Sequence, residues 1–417
     1  MEPAAIADTP APSQAETPPS RGRLFRRATR HAERIKVGSL NLVFPDGSTH
    51  RVAAAESGPA GTVVLKHARA LRRMLAGGGL GLAEAYVEGW WDTPDLRAVM
   101  ALALANEAEW AELLHAPFWL RWMASLQESA RPSALFRRRD ESADDYGLGV
   151  EFYAAWLDAT MNHSGALFGG NDSGLEAAQL RKLHRLCRLL QLTPGIRVLD
   201  LGCGWGAFAE LAARDYGCSV LGITTSAEGL AYAQARIKQA GLAHRVELRL
   251  QDFRGVSGRF DRIVAIETFD LVAEPQWPLY CKTVHDLLGR SGRAALQVVT
   301  ISERLFEAYA AGADFITRHV TPGRVLPSKS RLRRAFSKAN MAWGDEQWFG
   351  NDYAETLVRW QANFRAAWPR IAAVTAAAPR PCDERFRRLW EYYLAYRELG
   401  FRAGWMDVGQ ILIARNA

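Results

Sequence analysis

The chain has 417 residues, 48% of them hydrophobic, which is more than one core usually organises, so two domains are expected. No apolar run reaches the roughly eighteen residues that span a bilayer and no signal-peptide core is present, so a cytoplasmic protein is expected, while five scattered cysteines (Cys187, Cys203, Cys218, Cys281, Cys382) without ligand spacing exclude a disulfide framework and a zinc site. A net charge of +7 favours an anionic partner; nucleic-acid motifs are lacking and tryptophan is plentiful at 14 copies, so the partner expected is an anionic membrane face.

Residues 1–37 read as a disordered arm that ends in a basic stretch, RGRLFRRATRHAERIK, either a helix lying on anionic lipid or a solvated tail. From 38 to 109 the pattern is that of a small α/β domain. SLNLVFPDGSTHRVAA alternates about a Pro-Asp-Gly turn as a hairpin does, TVVLKH adds a strand, a helix starts near Ala68, and a Gly-rich turn precedes further helices. Residues 110–145 form a linker with Trp110, Phe118, Trp119, Trp122 and the basic run Arg137–Arg139, its aromatic stripe more consistent with core than with a membrane anchor.

From 146 to 417 strands and helices alternate. Strands at 196–201, 219–223, 246–250, 262–267 and 293–299 are interleaved with helices at 175–191, 206–216, 226–240 and 276–289, which specifies a doubly wound parallel sheet. An insertion of about forty residues, a strand near 342–349, helices over 352–368 and 383–400, and a final strand VGQILIAR suggest an antiparallel terminal hairpin.

The sharpest signal is VLDLGCGWG, a strand running through Asp200 into Gly202, Gly204 and Gly206 and then a helix. Glycines let the backbone turn tightly and approach a ligand, and Asp200 suits a cationic amino-acid head better than a pyrophosphate. Thr224, in GITTS, can bond a ribose or carboxylate, while Ser226 reads as a helix cap. Gln251 and Asp252, in LQDFR, offer acceptors to an adenine amine, and all these groups fall at the carboxyl ends of strands, where open sheets bind ligands.

These segments resemble the cyclopropane fatty acid synthase family, as do LGLAEAYVEGWWD, EFYAAWLDAT, FDRIVAIETFD, LPSKS, FGNDYAETLVRW and FRRLWEYYLAYRELGFRAG. The resemblance implies a class I methyltransferase fold, Rossmann-like and seven-stranded, with a small N-terminal α/β lipid-binding domain. It implies S-adenosylmethionine at Asp200, Gly202, Gly204, Gly206, Thr224, Gln251 and Asp252, an unsaturated acyl chain of membrane phospholipid as substrate, and a peripheral position at the inner membrane face. Family members hold bicarbonate with a Cys, a Glu, a His and a Tyr. Here Gly165, Asp270 and Gln297 stand at the first three of those positions and only Tyr353 matches; Asp144 and Val150 also replace the family's His and Asn. Asp270 is then the candidate residual base, with Glu267 nearby and Tyr353 orienting it, although Asp270 also reads as an ordinary strand-end turn residue. Two rivals remain open: a relative that binds lipid and cofactor without catalysis, and a small-molecule methyltransferase.

Overall fold

The computed structural model describes residues 23–111, 148–170, 174–310, 325–375 and 381–416. They fall into two compact units that divide between Pro117 and Phe118. The expectations for residues 1–22, for Phe118, Trp119, Trp122, Arg137–Arg139 and Asp144, and for the middle of the forty-residue insertion lie outside the described residues.

The first unit is a four-stranded sheet in the order β2-β1-β3-β4, built from β1 (Val37–Val43), β2 (Thr49–Ala53), β3 (Glu56–Leu65) and β4 (Trp91–Asp92). β1 and β2 form the expected antiparallel hairpin, its turn closed by the Ser48 N–H donating to Asp46 Oδ1 at 3.0 Å. Helices α1 (Arg23–Ala32), α2 (Ala68–Val87) and α3 (Leu96–Ala105) complete the unit. The Gly-rich turn shrinks to a break at Gly78 (φ +59) within α2, and Gly81 lets two turns of this helix close up, since a Cβ there would stand 2.1 Å from the Arg73 carbonyl oxygen.

α1 corrects the expected arm. Ala28, Ala32 and Ile35 are buried, Phe25 packs edge-on against Phe44 at 5.3 Å, and the Trp110 indole donates to the His31 carbonyl at 2.8 Å. Residues 23–36 therefore belong to the small domain: their apolar side faces protein, and Arg26, Arg27 and Arg30 remain on the exposed side. The tryptophans are corrected in the same sense. None of the described ones is an exposed residue, and Trp91, Trp156, Trp360 and Trp390 are among the largest fully buried side chains.

The second unit holds a seven-stranded sheet in the order β10-β11-β9-β8-β5-β6-β7. The strands are β5 (Arg197–Leu201), β6 (Ser219–Thr224), β7 (Val246–Leu250), β8 (Phe260–Ile266), β9 (Leu288–Ile301), β10 (Met341–Trp348) and β11 (Met406–Arg415). β5 to β9 pair in parallel, and β11 and β10 add the antiparallel hairpin at one end. Both faces are covered, so the central strands are apolar on both sides. Val198, Val220 and Val264 pack with Leu183, Phe208 and Ala212, whereas Leu199, Ile263 and Leu296 pack with Tyr280, Cys281 and Val284. The chain reverses direction across the sheet between β5 and β8, and a crevice opens at such a switch point beyond the carboxyl ends of the strands.

Around this sheet lie α4 (Val150–Ala154), α5 (Leu175–Leu189), α6 (Ala207–Tyr216), α7 (Ala227–Gln239), α8 (Trp277–Leu287), α9 (Phe306–Ala310), α10 (Lys329–Lys338), α11 (Gly350–Thr375) and α12 (Glu384–Arg402). α10 was not anticipated inside the insertion; Leu332 and Phe336 are its buried residues, and five basic residues among its ten hide that short apolar stripe.

Candidate active site

A cavity of about 620 Å³ occupies the carboxyl ends of β5, β6, β7 and β8. Asp200, Gly202, Gly204, Thr224, Gln251 and Asp252 all line it, so one crevice gathers six residues spread over more than fifty positions of sequence. Gly206 starts α6 in a left-handed conformation (φ +84) and sets the exit from the loop. At Gly204 (φ +52) a Cβ would point into open space, so the backbone there is bare toward the cavity; at Gly202 (φ +83) a Cβ would stand 2.3 Å from Thr268 Cγ2.

Asp200 is buried and its Oδ2 has no hydrogen-bond partner among the described residues. Burial without a compensating cation pushes its carboxyl up to about 7. Such a group is completed by a ligand that brings a cation, and the amino-acid head of S-adenosylmethionine brings an ammonium. Thr224 Oγ1 accepts from the Ser226 N–H at 3.1 Å, and Ser226 is the cap expected, accepting from the Gly229 N–H at 2.9 Å. Asp252 is engaged by Arg254 at 2.7 Å, so of the two proposed adenine acceptors Gln251 is the less committed.

The other end of the cavity is built differently. Glu267 follows β8 with φ +52, a region that costs a non-glycine residue energy and is held only where surroundings enforce it. Its Oε1 accepts from the Gly165 N–H at 2.8 Å and from Gln297 Nε2 at 2.8 Å, and its Oε2 accepts from the Tyr353 hydroxyl at 2.8 Å. Gln297 also donates to the Gly165 carbonyl at 3.0 Å and accepts from Gln410 Nε2 at 2.9 Å, so both of its amide hydrogens are used. Burial holds the Tyr353 phenol well above its ordinary pKa, which keeps it a donor. Tyr353 is stacked on Phe401 at 4.4 Å and lies under the Arg397 guanidinium at 4.9 Å.

The loop carrying Gly165 is fixed from below. Gln179 donates to the Ser164 carbonyl at 2.9 Å, Lys182 Nζ to Ser164 Oγ at 2.6 Å, and Thr356 Oγ1 accepts from the Ala166 N–H at 3.0 Å. Lys182 is fully buried; desolvation lowers its pKa to about 8, opposed by the negative charges of Glu267 and Asp158. These supporting groups escaped the sequence reading because a Lys, a Gln and a Thr on amphipathic helices carry no motif.

The structure places the three catalytic candidates differently. Asp270 sits in the single turn Phe269–Leu271 and is not among the residues lining the cavity, whereas Glu267 lines it and Tyr353 bonds Glu267 directly. Val150 lines the cavity wall, and its N–H donates to Glu228 Oε1 at 2.6 Å.

This fold and this crevice define a class I S-adenosylmethionine-dependent methyltransferase. Residues 134–411 match the family model described as mycolic acid cyclopropane synthetase, and the chain belongs to that family. It is 32% identical to the tuberculostearic acid methyltransferase UfaA1 of Mycobacterium tuberculosis, over 99% of this chain and 95% of that protein. It is also 32% identical to the cyclopropane-fatty-acyl-phospholipid synthase of Escherichia coli K12, over 89% and 95%. Among solved structures, the mycolic acid cyclopropane synthase CmaA1 complexed with SAH and CTAB superposes with a TM-score of 0.60 at 27% identity, covering 65% of this chain and 95% of that one. The protein is thus a methyltransferase of a lipid-modifying family, dependent on S-adenosylmethionine. No described helix is long and apolar enough to cross a membrane.

Proposed function

We propose that the protein methylates a double-bond carbon in an unsaturated phospholipid acyl chain and yields mainly methyl-branched unsaturated chains rather than cyclopropanes. The observation that carries this reading is the single cavity that joins the uncompensated Asp200 to an apolar wall including Leu148, Val150, Met161, Leu271 and Val272. Asp200 takes the ammonium of S-adenosylmethionine, the bare backbone of Gly202 and Gly204 lies along it, and Thr224, Gln251 and Asp252 receive the nucleoside. The bound cosubstrate supplies an electrophilic methyl group. The protein's part is to orient the alkene, exclude bulk water and accept a proton.

The product assignment rests on the proton-handling groups. Gly165 has no side chain to hold an anion, Gln297 is neutral with both amide hydrogens spent, and Asp270 is not among the residues lining the cavity. A cation left after methyl transfer then escapes by losing a proton from a neighbouring carbon. Expression in a host lacking its own cyclopropane synthase, followed by mass spectrometry of fatty acid methyl esters, tests this: methyl-branched esters are expected. Dominant cyclopropane refutes the product, and no methylated lipid at all favours the non-catalytic rival.

The exposed Arg26, Arg27 and Arg30 of α1 supply the attraction to an anionic membrane, at about 1 kcal/mol per basic residue near the surface. Replacing all three by Gln keeps the buried side of the helix and is expected to weaken liposome binding and its salt sensitivity. Unchanged binding would remove α1 from the membrane contact.

A further inference from the structure

Glu267 is held by an arrangement that a merely structural carboxylate does not need. Its backbone stands at φ +52, where glycine is the undemanding residue. Gly165 is shaped around it: a Cβ at 165 would meet the Tyr353 ring at 2.7 Å, so only glycine lets this backbone N–H and the Tyr353 hydroxyl reach the same carboxylate. An ionised carboxylate has about four lone-pair positions. Three are filled, two on Oε1 by Gly165 and Gln297 and one on Oε2 by Tyr353, which leaves one on Oε2 for a further partner. The residue lines the cavity, and the cations of Lys182 and Arg397 both feel its charge.

We infer that the Glu267 carboxylate is the proton acceptor of the reaction, an anion tethered to the chain in the seat formed by Gly165, Gln297 and Tyr353, so that turnover needs no dissolved carboxylate or bicarbonate. This rests on the acyl-chain reading above. The alkene π pair forms the bond to the methyl carbon as the carbon–sulfur bond breaks, its pair stays on sulfur, S-adenosylhomocysteine is released, and the neighbouring chain carbon becomes cationic. The free pair on Oε2 then takes a proton from the carbon next to that cation. The C–H pair fills the cation as a new double bond, and Glu267, now a carboxylic acid, passes the proton to solvent. No oxidant or reductant enters.

The test uses the full chain, labelled S-adenosylmethionine and vesicles of dioleoylphosphatidylglycerol. Wild type is expected to turn over at the same rate in carbon-dioxide-free buffer and with added bicarbonate. Glu267→Gly, which suits the positive φ and leaves the three donors facing an empty seat, is expected to fold, to bind S-adenosylmethionine normally and to lose about 100-fold or more in turnover. Formate is expected to restore part of that turnover saturably. Glu267→Gln fills the seat with an amide that accepts no proton, so it is expected to be as slow and to be unmoved by formate.

Near-wild-type turnover by Glu267→Gly without formate overturns the inference, as does a wild-type rate that rises with bicarbonate. Loss of turnover in both variants with no recovery in formate assigns Glu267 a structural role and overturns it too. A wild type that binds S-adenosylmethionine but methylates no lipid overturns the acyl-chain reading itself, and this result is distinct because it appears before any substitution is made.

Discussion

The two ends of the cavity solve opposite electrostatic problems. At the glycine loop a buried carboxylate, Asp200, has an oxygen without a partner among the described residues and a pKa raised to about 7, so this end is left open for the cation that the proposed cosubstrate would bring. At the far end the carboxylate of Glu267 already has protein donors on both oxygens and a buried lysine beside it, so this end is largely assembled before anything binds. An open site gains its binding energy from the ligand, whereas a preorganised one stores its cost in the fold, here in the backbone of Glu267 and the burial of Lys182.

The comparison is broken most directly at the open end. Gly204→Val places a β-branched side chain at φ +52 on the cavity face, and S-adenosylmethionine binding measured by calorimetry is expected to vanish while the melting temperature falls. Equal binding would move the cosubstrate elsewhere. Asp200→Asn removes the charge proposed to meet the ammonium and is expected to weaken binding by about 1.5–3 kcal/mol, the usual scale for hydrogen bonds to charged groups.

The pH dependence of Asp200 sharpens this. Its folded pKa lies above the unfolded value, so its contribution to the stability of the ligand-free protein is full below about pH 4 and is lost as the pH rises through about 7. Cosubstrate affinity is expected to run the other way, rising as Asp200 ionises and levelling off above about pH 7. Asp200→Asn should abolish both slopes; persistence of either in the variant would assign it to another group.

Around Glu267 two smaller effects are expected, both on stability. Gln410→Leu strips the donor from Gln297 Oε1 and leaves that oxygen buried, which is expected to cost about 1–3 kcal/mol in denaturant unfolding. Tyr353→Phe removes one donor from Glu267 Oε2 while keeping the ring on Phe401, and about 0.5–1.5 kcal/mol of stability is expected to go with it. If Tyr353→Phe instead weakened cosubstrate binding as much as Asp200→Asn, the two ends would not be separable.

How much of this was legible beforehand follows the reach of each signal. VLDLGCGWG declared a strand, a turn and a helix within nine residues, and the strand and helix that followed were placed within a few positions, because period-two and helical apolar patterns are local. Residues 23–36 of the basic segment were misread because Ala28, Ala32 and Ile35 are a thin stripe among arginines, and only contact with the small domain shows that the stripe is buried. Asp270 outranked Glu267 because it occupies the position that the resemblance pointed to.

The sequence by itself determined the class of fold, the glycine loop and the carboxylate beside it, since those depend on neighbours in the chain and on the alternation of strands and helices. Only the tertiary structure decided which of Glu267 and Asp270 lines the cavity. The hydrogen bonds that fix Glu267 run to residues 102, 30 and 86 positions away, and no local pattern encodes a site assembled from a loop, a strand and a helix so widely separated.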